Sequence, residues 1–237
     1  MHIITKNTLS DNRIKILIVV ATEPETAVLK NMLKRFKISE NIFKFQKLQI
    51  KILITGIGLV NTAYLLTKEI LQNEYDLAIN IGICGSFDFT IPLGEVLEVK
   101  SDTFADLGIT YPDKFRTVFE ENFINPNLFP YTNSLILNED YKLSEKFELK
   151  KVNSISVNTT SGNKEQISER KKKFNPDIET MEGAAFFAVC KSENLTCLQI
   201  RSVSNYVEER NFAKWDIPLA ISSLNHWILN FIINYSA

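Results

Sequence analysis

The chain has 237 residues, of which 45% are hydrophobic and 23% are charged, and its formal net charge is −1. This composition is typical of a globular protein with a sizeable core, and a chain of this length is expected to form one α/β domain. The lack of a basic surplus argues against a nucleic-acid-binding protein and against a polybasic membrane patch, because both depend on contacts with phosphate groups.

The first 13 residues, MHIITKNTLSDNR, are predicted to form a polar tail, with the domain spanning residues 14–237. The tail does not resemble a signal peptide, because no apolar core follows a basic start. No apolar run approaches the length of a membrane span. We therefore expect a cytoplasmic protein without a membrane partner.

The first third of the chain predicts alternating strands and helices. IKILIVVA (14–21) is a continuous apolar run, typical of a strand buried on both faces. It is followed by TEPE and a helical pattern from Thr26 to about Phe36. FKFQKLQIKILIT (43–55) predicts a hairpin-like pair of strands, and GIG (56–58) ends the second.

The middle of the chain contains two further predicted strands. A helix is expected from Leu59 to about Glu74, because apolar residues recur there at helical spacing. YDLAINIG (75–82) predicts a buried strand followed by the turn ICGS, and LGEVLEV (93–99) predicts another strand. The pattern then fades over residues 106–131, and an irregular segment of this length is usually functional or mobile.

The last third predicts the remaining elements of a mostly parallel sheet. VNSISVNTT (152–160) is a predicted strand, and the next polar helix carries RKKK (170–173) on a solvated face. IETMEGAAFFAVC (178–190) predicts an apolar helix, LTCLQIRSVSN (195–205) a strand, and Asp216 with Pro218 the start of a final helix. The alternation predicts a single α/β domain with a twisted mixed, mostly parallel sheet flanked by helices.

The cysteines and histidines argue against a disulfide framework, a metal site or His-based catalysis. The three cysteines, Cys84, Cys190 and Cys197, are odd in number, lack CxxC spacing and lie in apolar runs, which predicts buried free thiols. Only two histidines occur, His2 and His226. We expect no metal and no organic cofactor.

Four groups of residues follow a predicted strand or open a helix. The strand ends of an α/β sheet form its active-site crevice, so these groups are candidates for the site. They are Thr22 to Glu25, Gly82 to Gly85, Glu182, and Ser204 with Asn205. Taken alone, Glu182 could equally satisfy the first N–H groups of its helix. GIG matches a dinucleotide-binding fingerprint only in part, and no GxSxG nucleophile motif is present.

Together these motifs resemble the purine nucleosidase and nucleoside phosphorylase superfamily, in particular its nucleosidase branch. The motifs are ILIVVATEPE, TGIGLVNTA, NIGICGS followed by PLGEV, ETMEGAA and RSVSN, and their order holds over nearly all of residues 14–233. Within the branch, DTFADLGI and RSVSNYVEERNFAKWDIP resemble the futalosine hydrolases, enzymes of an alternative menaquinone pathway. The resemblance implies hydrolysis of futalosine to hypoxanthine and dehypoxanthine futalosine.

The resemblance also implies roles for two carboxylates. Glu182 would accept hydrogen bonds from the ribose 2′- and 3′-hydroxyls, to which a carboxylate offers two acceptor oxygens, and Met181 would pack against the sugar. Glu25 would position and deprotonate the attacking water and stabilise an oxocarbenium-like sugar. The alternative for Glu25 is a solvated carboxylate, as expected for Glu23.

Asn205 and Ser204 bear on the base. Adenine-specific nucleosidases of this superfamily carry Asp at this position, and an Asn amide instead favours hypoxanthine as the leaving group. Ser204 would steady the site, and the alternative for Asn205 is a strand-end cap. Gly85, with Gly82, would give close approach to the substrate, unless these glycines only form a tight turn.

The remaining candidates concern the sugar and the 5′ substituent. Phe104 is expected either against the sugar or base or in the core. Futalosine carries a carboxyphenyl group on its 5′ side, and Arg210 is our first candidate cation for that carboxylate, with Arg116 second. The alternative for Arg210 is a surface or interface arginine.

Hydrolysis is favoured over phosphorolysis, because TEPE places carboxylates where the phosphorylases of this superfamily carry an arginine for phosphate. Two rival functions remain open: a 5′-methylthioadenosine/S-adenosylhomocysteine nucleosidase, and a non-catalytic nucleoside-binding protein on the same fold. The resemblance further implies a homodimer whose only other partner is a small-molecule nucleoside.

Overall fold

The computed structural model describes residues 13–138 and 147–236, so the predicted N-terminal tail lies outside the described residues except for Arg13. The strands are β1 (Ile14–Val20), β2 (Lys37–Ser39), β3 (Ile42–Phe45), β4 (Leu48–Ile54), β5 (Leu77–Ser86), β6 (Val96–Asp102), β7 (Gly108–Thr110), β8 (Phe115–Thr117), β9 (Ile136–Leu137), β10 (Lys150–Ser156), β11 (Ile178–Thr180) and β12 (Cys197–Tyr206). The α-helices are α1 (Ala27–Met32), α2 (Leu59–Gln72), α3 (Lys164–Phe174), α4 (Gly183–Ser192) and α5 (Ile217–Ser236).

The main sheet has the strand order β11-β10-β6-β12-β5-β1-β4-β3-β2. Its centre is parallel, since β1 pairs in parallel with β4 and β5, and β5 with β12, whereas β6 is antiparallel to β12. The sheet curls until β11 also pairs with β5, which closes a ring of the strands β5, β12, β6, β10 and β11. The predicted mixed α/β sheet flanked by helices is confirmed.

The two faces of β1 explain why its sequence is apolar throughout. Ile16, Ile18 and Val20 belong to a cluster that includes α5, and Leu17 and Val19 belong to the cluster on the opposite face that includes α4. Residues 16–20 are fully buried, as expected for a central parallel strand covered by helices on both sides. The three cysteines are buried thiols outside any disulfide, as predicted.

Two predicted elements differ from the structure. Gly82 to Gly85 do not form a turn after the strand but lie inside β5, which continues to Ser86 because β12 pairs with it along nearly its whole length. Residues 178–180 begin the apolar run as the short strand β11, and the helix starts only at Gly183. Apolar runs of this length do not distinguish a strand from a helix, and the pairing of β11 with β10 decides here.

The predicted solvated face at 170–173 is wrong for Arg170. Lys171 and Lys172 are exposed, but Arg170 is buried, with its Nη1 2.9 Å from Oε2 of Glu179. Other bounds shift by a few residues: α1 ends at Met32 before a 3₁₀ turn, and β6 begins at Val96. The 106–131 segment is mostly turns, as expected, with a small β7–β8 hairpin. Among the described residues, no helix is both long and apolar enough to cross a bilayer.

Candidate active site

Glu25 turns inward from a short 3₁₀ turn, Glu23–Thr26, directly after β1. Its Oε2 accepts hydrogen bonds from the backbone N–H (2.9 Å) and hydroxyl (3.0 Å) of Thr22, and its Oε1 accepts one from Ile83 N–H (3.2 Å) on β5. Glu25 is 6% exposed. Glu23 instead points to solvent and pairs with Lys30 at 2.6 Å. The two carboxylates of TEPE therefore have different environments, as the sequence predicted.

Glu182 stands at the start of α4 but does not cap it, since its side chain makes no capping bond to its own helix. Its Oε1 accepts a hydrogen bond from Gly58 N–H (3.1 Å), at the start of α2. Gly58 has a φ of +99°, which favours glycine. Burial raises the pKa of Glu182 above its ordinary value and the Glu25 charge raises it further, while Arg201 and the Gly58 N–H oppose the shift.

Arg201, on β12, is the buried cation between these carboxylates, and the sequence reasoning missed it. It is 1% exposed and donates to Asn80 Oδ1. Its positive charge opposes the rise in the pKa of Glu182. A Cβ added to Gly82 would lie 2.1 Å from Arg201 Nη1 and 3.0 Å from Glu25 Oε1. The guanidinium of Arg201 and the carboxylate of Glu25 therefore both lie against the backbone of β5 at Gly82, where a side chain would not fit. The positive charge of Arg201 offsets part of the negative charge of the two carboxylates, which reduces the cost of burying them together.

Asp102, a further buried carboxylate, lies beneath the first turn of α4. It accepts hydrogen bonds from Thr103 N–H (2.8 Å), Ser156 Oγ (3.0 Å) and Gln199 Nε2 (3.2 Å). Ser156 Oγ in turn accepts from Ala184 N–H at 2.8 Å. Burial raises the pKa of Asp102 to about 6.

The surroundings of Gly183 explain why a glycine follows Glu182. A Cβ there would lie 2.1 Å from Gln199 Nε2 and 2.3 Å from Asp102 Oδ2. Helix α4 can therefore begin against this buried polar group only with glycine in that place. The start of α4 is tied down, and with it the backbone that carries Glu182.

Asn205 opens onto a small cavity of about 50 Å³ at the carboxyl end of β12. Its Nδ2 donates to Tyr206 O at 3.0 Å, and its Oδ1 lies 2.8 Å from Ser204 Oγ. These two partners orient the amide, with one N–H of Nδ2 left for a ligand. Gly85 faces Asn205 across the strand pair, and its missing side chain leaves the space in front of Nδ2 open.

The two groups of side chains are joined by β5. Ile83 N–H contacts Glu25, and Gly85 faces Asn205 two residues further along the same strand, a separation of roughly 7 Å. Neither Glu25 nor Glu182 lines the Asn205 cavity itself. The parallel strands β1, β5 and β12 thus bring Glu25 and Asn205 to neighbouring positions at the carboxyl ends of the strands.

A model of the phosphorylase superfamily matches residues 15–232. The chain belongs to the phosphorylase superfamily. Futalosine hydrolase of Thermus thermophilus is 28% identical over 173 residues, covering 72% of this chain and 75% of the relative. The 5′-methylthioadenosine/S-adenosylhomocysteine nucleosidase of Buchnera aphidicola subsp. Schizaphis graminum is 25% identical over 230 residues, covering 89% and 92%.

A solved structure of this superfamily has the same fold. The 5′-methylthioadenosine/S-adenosylhomocysteine nucleosidase of Helicobacter pylori superposes with a TM-score of 0.78 at 18% sequence identity, over 93% of this chain and 98% of that one. The two sequence relatives differ in the nucleoside for which they are named. The choice between these nucleosides therefore depends on the residues of this chain.

Three other candidates of this phosphorylase-superfamily chain are Met181, Phe104 and Arg210. Met181 is half-buried beside Glu182. Phe104 is also half-buried. It packs against the core and forms a β-bridge with Ser156, which favours the alternative of a core aromatic. Arg210 lines the Asn205 cavity, donates to Thr160 Oγ1 (3.3 Å) and stacks over aromatic rings.

Arg116 lies elsewhere. It pairs with Glu121 at 2.9 Å and lines an open groove of about 1090 Å³ between the β7–β8 hairpin and α3. None of Glu25, Glu182 and Asn205 lines that groove. Among residues 13–138 and 147–236, no group of three or more His, Cys, Asp and Glu side chains is placed to hold a metal ion.

Proposed function

We propose that this protein hydrolyses the N-glycosidic bond of a purine nucleoside, with futalosine as the substrate and hypoxanthine as the released base. The observation that carries the proposal is the buried cluster of Glu25, Glu182 and Arg201, with the Asn205 amide on the neighbouring strand β12, opposite Gly85 of β5. The relatedness to nucleosidases supports the reaction class.

Glu25 is proposed as the general base. Three donors hold its carboxylate, and one lone pair of Oε1 is left to accept a proton from water. The fixed negative charge also stabilises the positive charge that develops on the sugar as the glycosidic bond breaks. Arg201 opposes the rise in the pKa of Glu182, which favours keeping this second carboxylate in the same buried cluster.

Glu182 is proposed to hold the ribose. Only one of its oxygens is used by Gly58, so both vicinal hydroxyls of a ribose can donate to the carboxylate. Such donors favour the ionised form, and they lower a pKa that burial raises in the free protein. Met181, beside it on the chain, is proposed to pack against the sugar.

Asn205 favours a 6-oxopurine over adenine. Its free N–H can donate to O6 or N7 of hypoxanthine, and it has no acidic proton to transfer to an adenine leaving group. Ser204 keeps the amide oriented at 2.8 Å. Arg210 at the cavity rim remains our candidate for the substrate carboxylate, and Phe104 for a contact with the sugar.

The second candidate is a 5′-methylthioadenosine/S-adenosylhomocysteine nucleosidase, favoured by the 89% coverage of this chain by such a relative. Incubating the protein with futalosine, inosine and 5′-methylthioadenosine, and identifying the free base by chromatography, separates the two. We expect hypoxanthine from futalosine at the highest rate. Preferential release of adenine would favour the second candidate, and binding without release would indicate a non-catalytic nucleoside-binding protein.

We also propose a homodimer, located in the cytoplasm. The outward face of α2 carries the exposed apolar residues Val60 (77%), Tyr64 (64%) and Leu71 (68%), at helical spacing. Its first turn adjoins Gly58, which contacts Glu182. Contiguous apolar residues on a helix surface are typical of an interface. Sedimentation equilibrium of the wild type would test the assembly, and a monomer at micromolar concentration would contradict it.

A further inference from the structure

Glu179, on β11, is a buried carboxylate that lines the Asn205 cavity and has no role in the mechanism above. It pairs with Gly85 on β5, and Gly85 pairs with Asn205 on β12. Residues directly opposite one another on adjacent strands point to the same face of a sheet. Glu179 and Asn205 therefore flank Gly85 in one row, with an open position between them.

The partners of Glu179 are all hydrogen-bond donors. Its Oε1 accepts from Ser161 N–H (2.8 Å), and its Oε2 accepts from Ser161 Oγ (2.6 Å) and from Arg170 Nη1 (2.9 Å). The carboxylate thus offers only acceptor atoms, and Oε1 keeps one lone pair for a further donor. Arg170, itself 9% exposed, provides the opposite charge on the side away from the sheet row.

We propose that Glu179 is a specificity-determining residue that accepts the N1–H of a 6-oxopurine, while Asn205 donates to the same base. The inference deepens the proposed function and rests on it for the presence of a purine. Hypoxanthine has a donor at N1 and an acceptor at O6, and adenine has the reverse pattern at these two positions. An acceptor from Glu179 against N1 of adenine would leave two buried acceptors facing each other.

The size of the effect follows from that mismatch. A buried charged group without a partner lowers affinity by about tenfold or more. Sites built to hydrogen-bond one polar pattern reject the other strongly for this reason.

The test measures dissociation constants of free hypoxanthine and free adenine by titration calorimetry, which requires no turnover. For the wild type we expect hypoxanthine to bind at least about tenfold more tightly than adenine. In Glu179→Gln the negative charge is lost and an amide NH₂ replaces one of the two acceptor oxygens, so the site no longer offers N1–H of hypoxanthine an anionic acceptor. The hypoxanthine preference should then fall at least about tenfold or reverse.

Two further variants separate recognition from folding. Glu179→Asp keeps the charge beside Arg170 but withdraws the acceptor by one methylene, and the preference should fall there as well. Glu209→Gln removes a charge from an exposed glutamate that pairs with Lys164 at 3.2 Å, and it should behave as wild type.

The outcomes distinguish this inference from the proposed function. A wild type that binds both bases equally, binds neither at millimolar concentration, or keeps its preference in both Glu179 variants overturns the role of Glu179, whatever nucleosides it cleaves. Loss of affinity for both bases by the same factor also overturns it. A selective wild type whose preference depends on Glu179, but which hydrolyses no futalosine, would retain the inference and remove the proposed function.

Discussion

Single residues in this site are recognisable from sequence when a motif marks them, and not when they are charges inside an apolar strand. Glu25 and Glu182 stand beside strand and helix boundaries, where a carboxylate needs an explanation. Arg201 and Asp102 belong to strands that otherwise consist largely of buried residues. A buried arginine requires a partner, and its hydrogen-bond partner Asn80 lies more than a hundred positions away, so the local sequence does not reveal it.

Replacing Glu25 by Gln tests its role as base. We expect the turnover number to fall by about a hundredfold or more, because general-base catalysis contributes on that order, with a smaller change in KM. Steady-state release of the base measures both constants. The matched control is Glu23→Gln, two residues away and exposed, which should keep wild-type kinetics. An active Glu25→Gln protein would contradict the assignment.

Replacing Gly82 by Ala tests the close packing of Arg201 against the backbone of β5. The new Cβ would lie 2.1 Å from Arg201 Nη1, so the guanidinium must move away from Glu25. We expect a loss of about 1–3 kcal/mol in the free energy of unfolding together with a large loss of activity. Gly162→Ala is the control, because its Cβ would meet no heavy atom within 4 Å. Urea unfolding and base release, compared between the two variants, decide the point.

At the scale of elements, the start of α4 depends on a buried acid. Asp102 and Gln199 lie against Gly183, and Ser156 connects Asp102 to the backbone of Ala184. The sequence placed Glu182 at a helix start but took residues 178–180 as part of that helix. The strand β11 exists because β10 and β5 pair with it, and those pairings join segments that are far apart along the chain.

The pH dependence of stability should carry the signature of Asp102. Its pKa is about 6 in the folded protein against 3.8 ordinarily, so the folded state binds more protons between these values and stability falls as pH rises from about 4 to about 6. Above pH 6 this contribution is constant. The total is about 3 kcal/mol, from about two pKa units.

Asp102→Asn removes that titration. Urea unfolding of wild type and variant at pH 4, 5, 6 and 7 should therefore show the variant gaining stability relative to wild type over this range. Glu182, whose pKa is also raised, contributes in the same direction in both proteins and cancels in the difference. Asp113→Asn, at an exposed position in the β7–β8 hairpin, is the control. A constant difference across the range would refute the assignment to Asp102.

In the molecule as a whole, the last helix holds the turn that carries Glu25 in place. Asn225 of α5 is fully buried, donates to the backbone carbonyl of Glu25 (2.8 Å) and accepts from Leu29 N–H (2.9 Å). These contacts span about two hundred residues of sequence. Leu224, Ile228 and Phe231 of this helix lie in the core cluster that also contains β1.

Asn225→Ala should therefore weaken both stability and activity. The variant leaves a buried N–H and a buried C=O without these partners, which costs about 1–3 kcal/mol, and it frees the turn that carries Glu25. Thermal unfolding and base-release kinetics measure the two effects. Asn230→Ala, on the exposed side of the same helix, should leave both unchanged. A stable Asn225→Ala protein with normal turnover would show that the turn holds itself.

The α/β class, the buried central strand and the final helix are predictable from the sequence alone, because periodicity and turn residues act over a few neighbouring positions. The family motifs also single out Glu25, Glu182 and Asn205, whose roles stay predictions. The continuation of β5 through Gly82 to Gly85, the burial of Arg170, and the positions of Arg201, Asp102 and Glu179 are visible only in the folded chain. The reason is that strand pairing and the packing of α3 bring together charges that no local pattern connects.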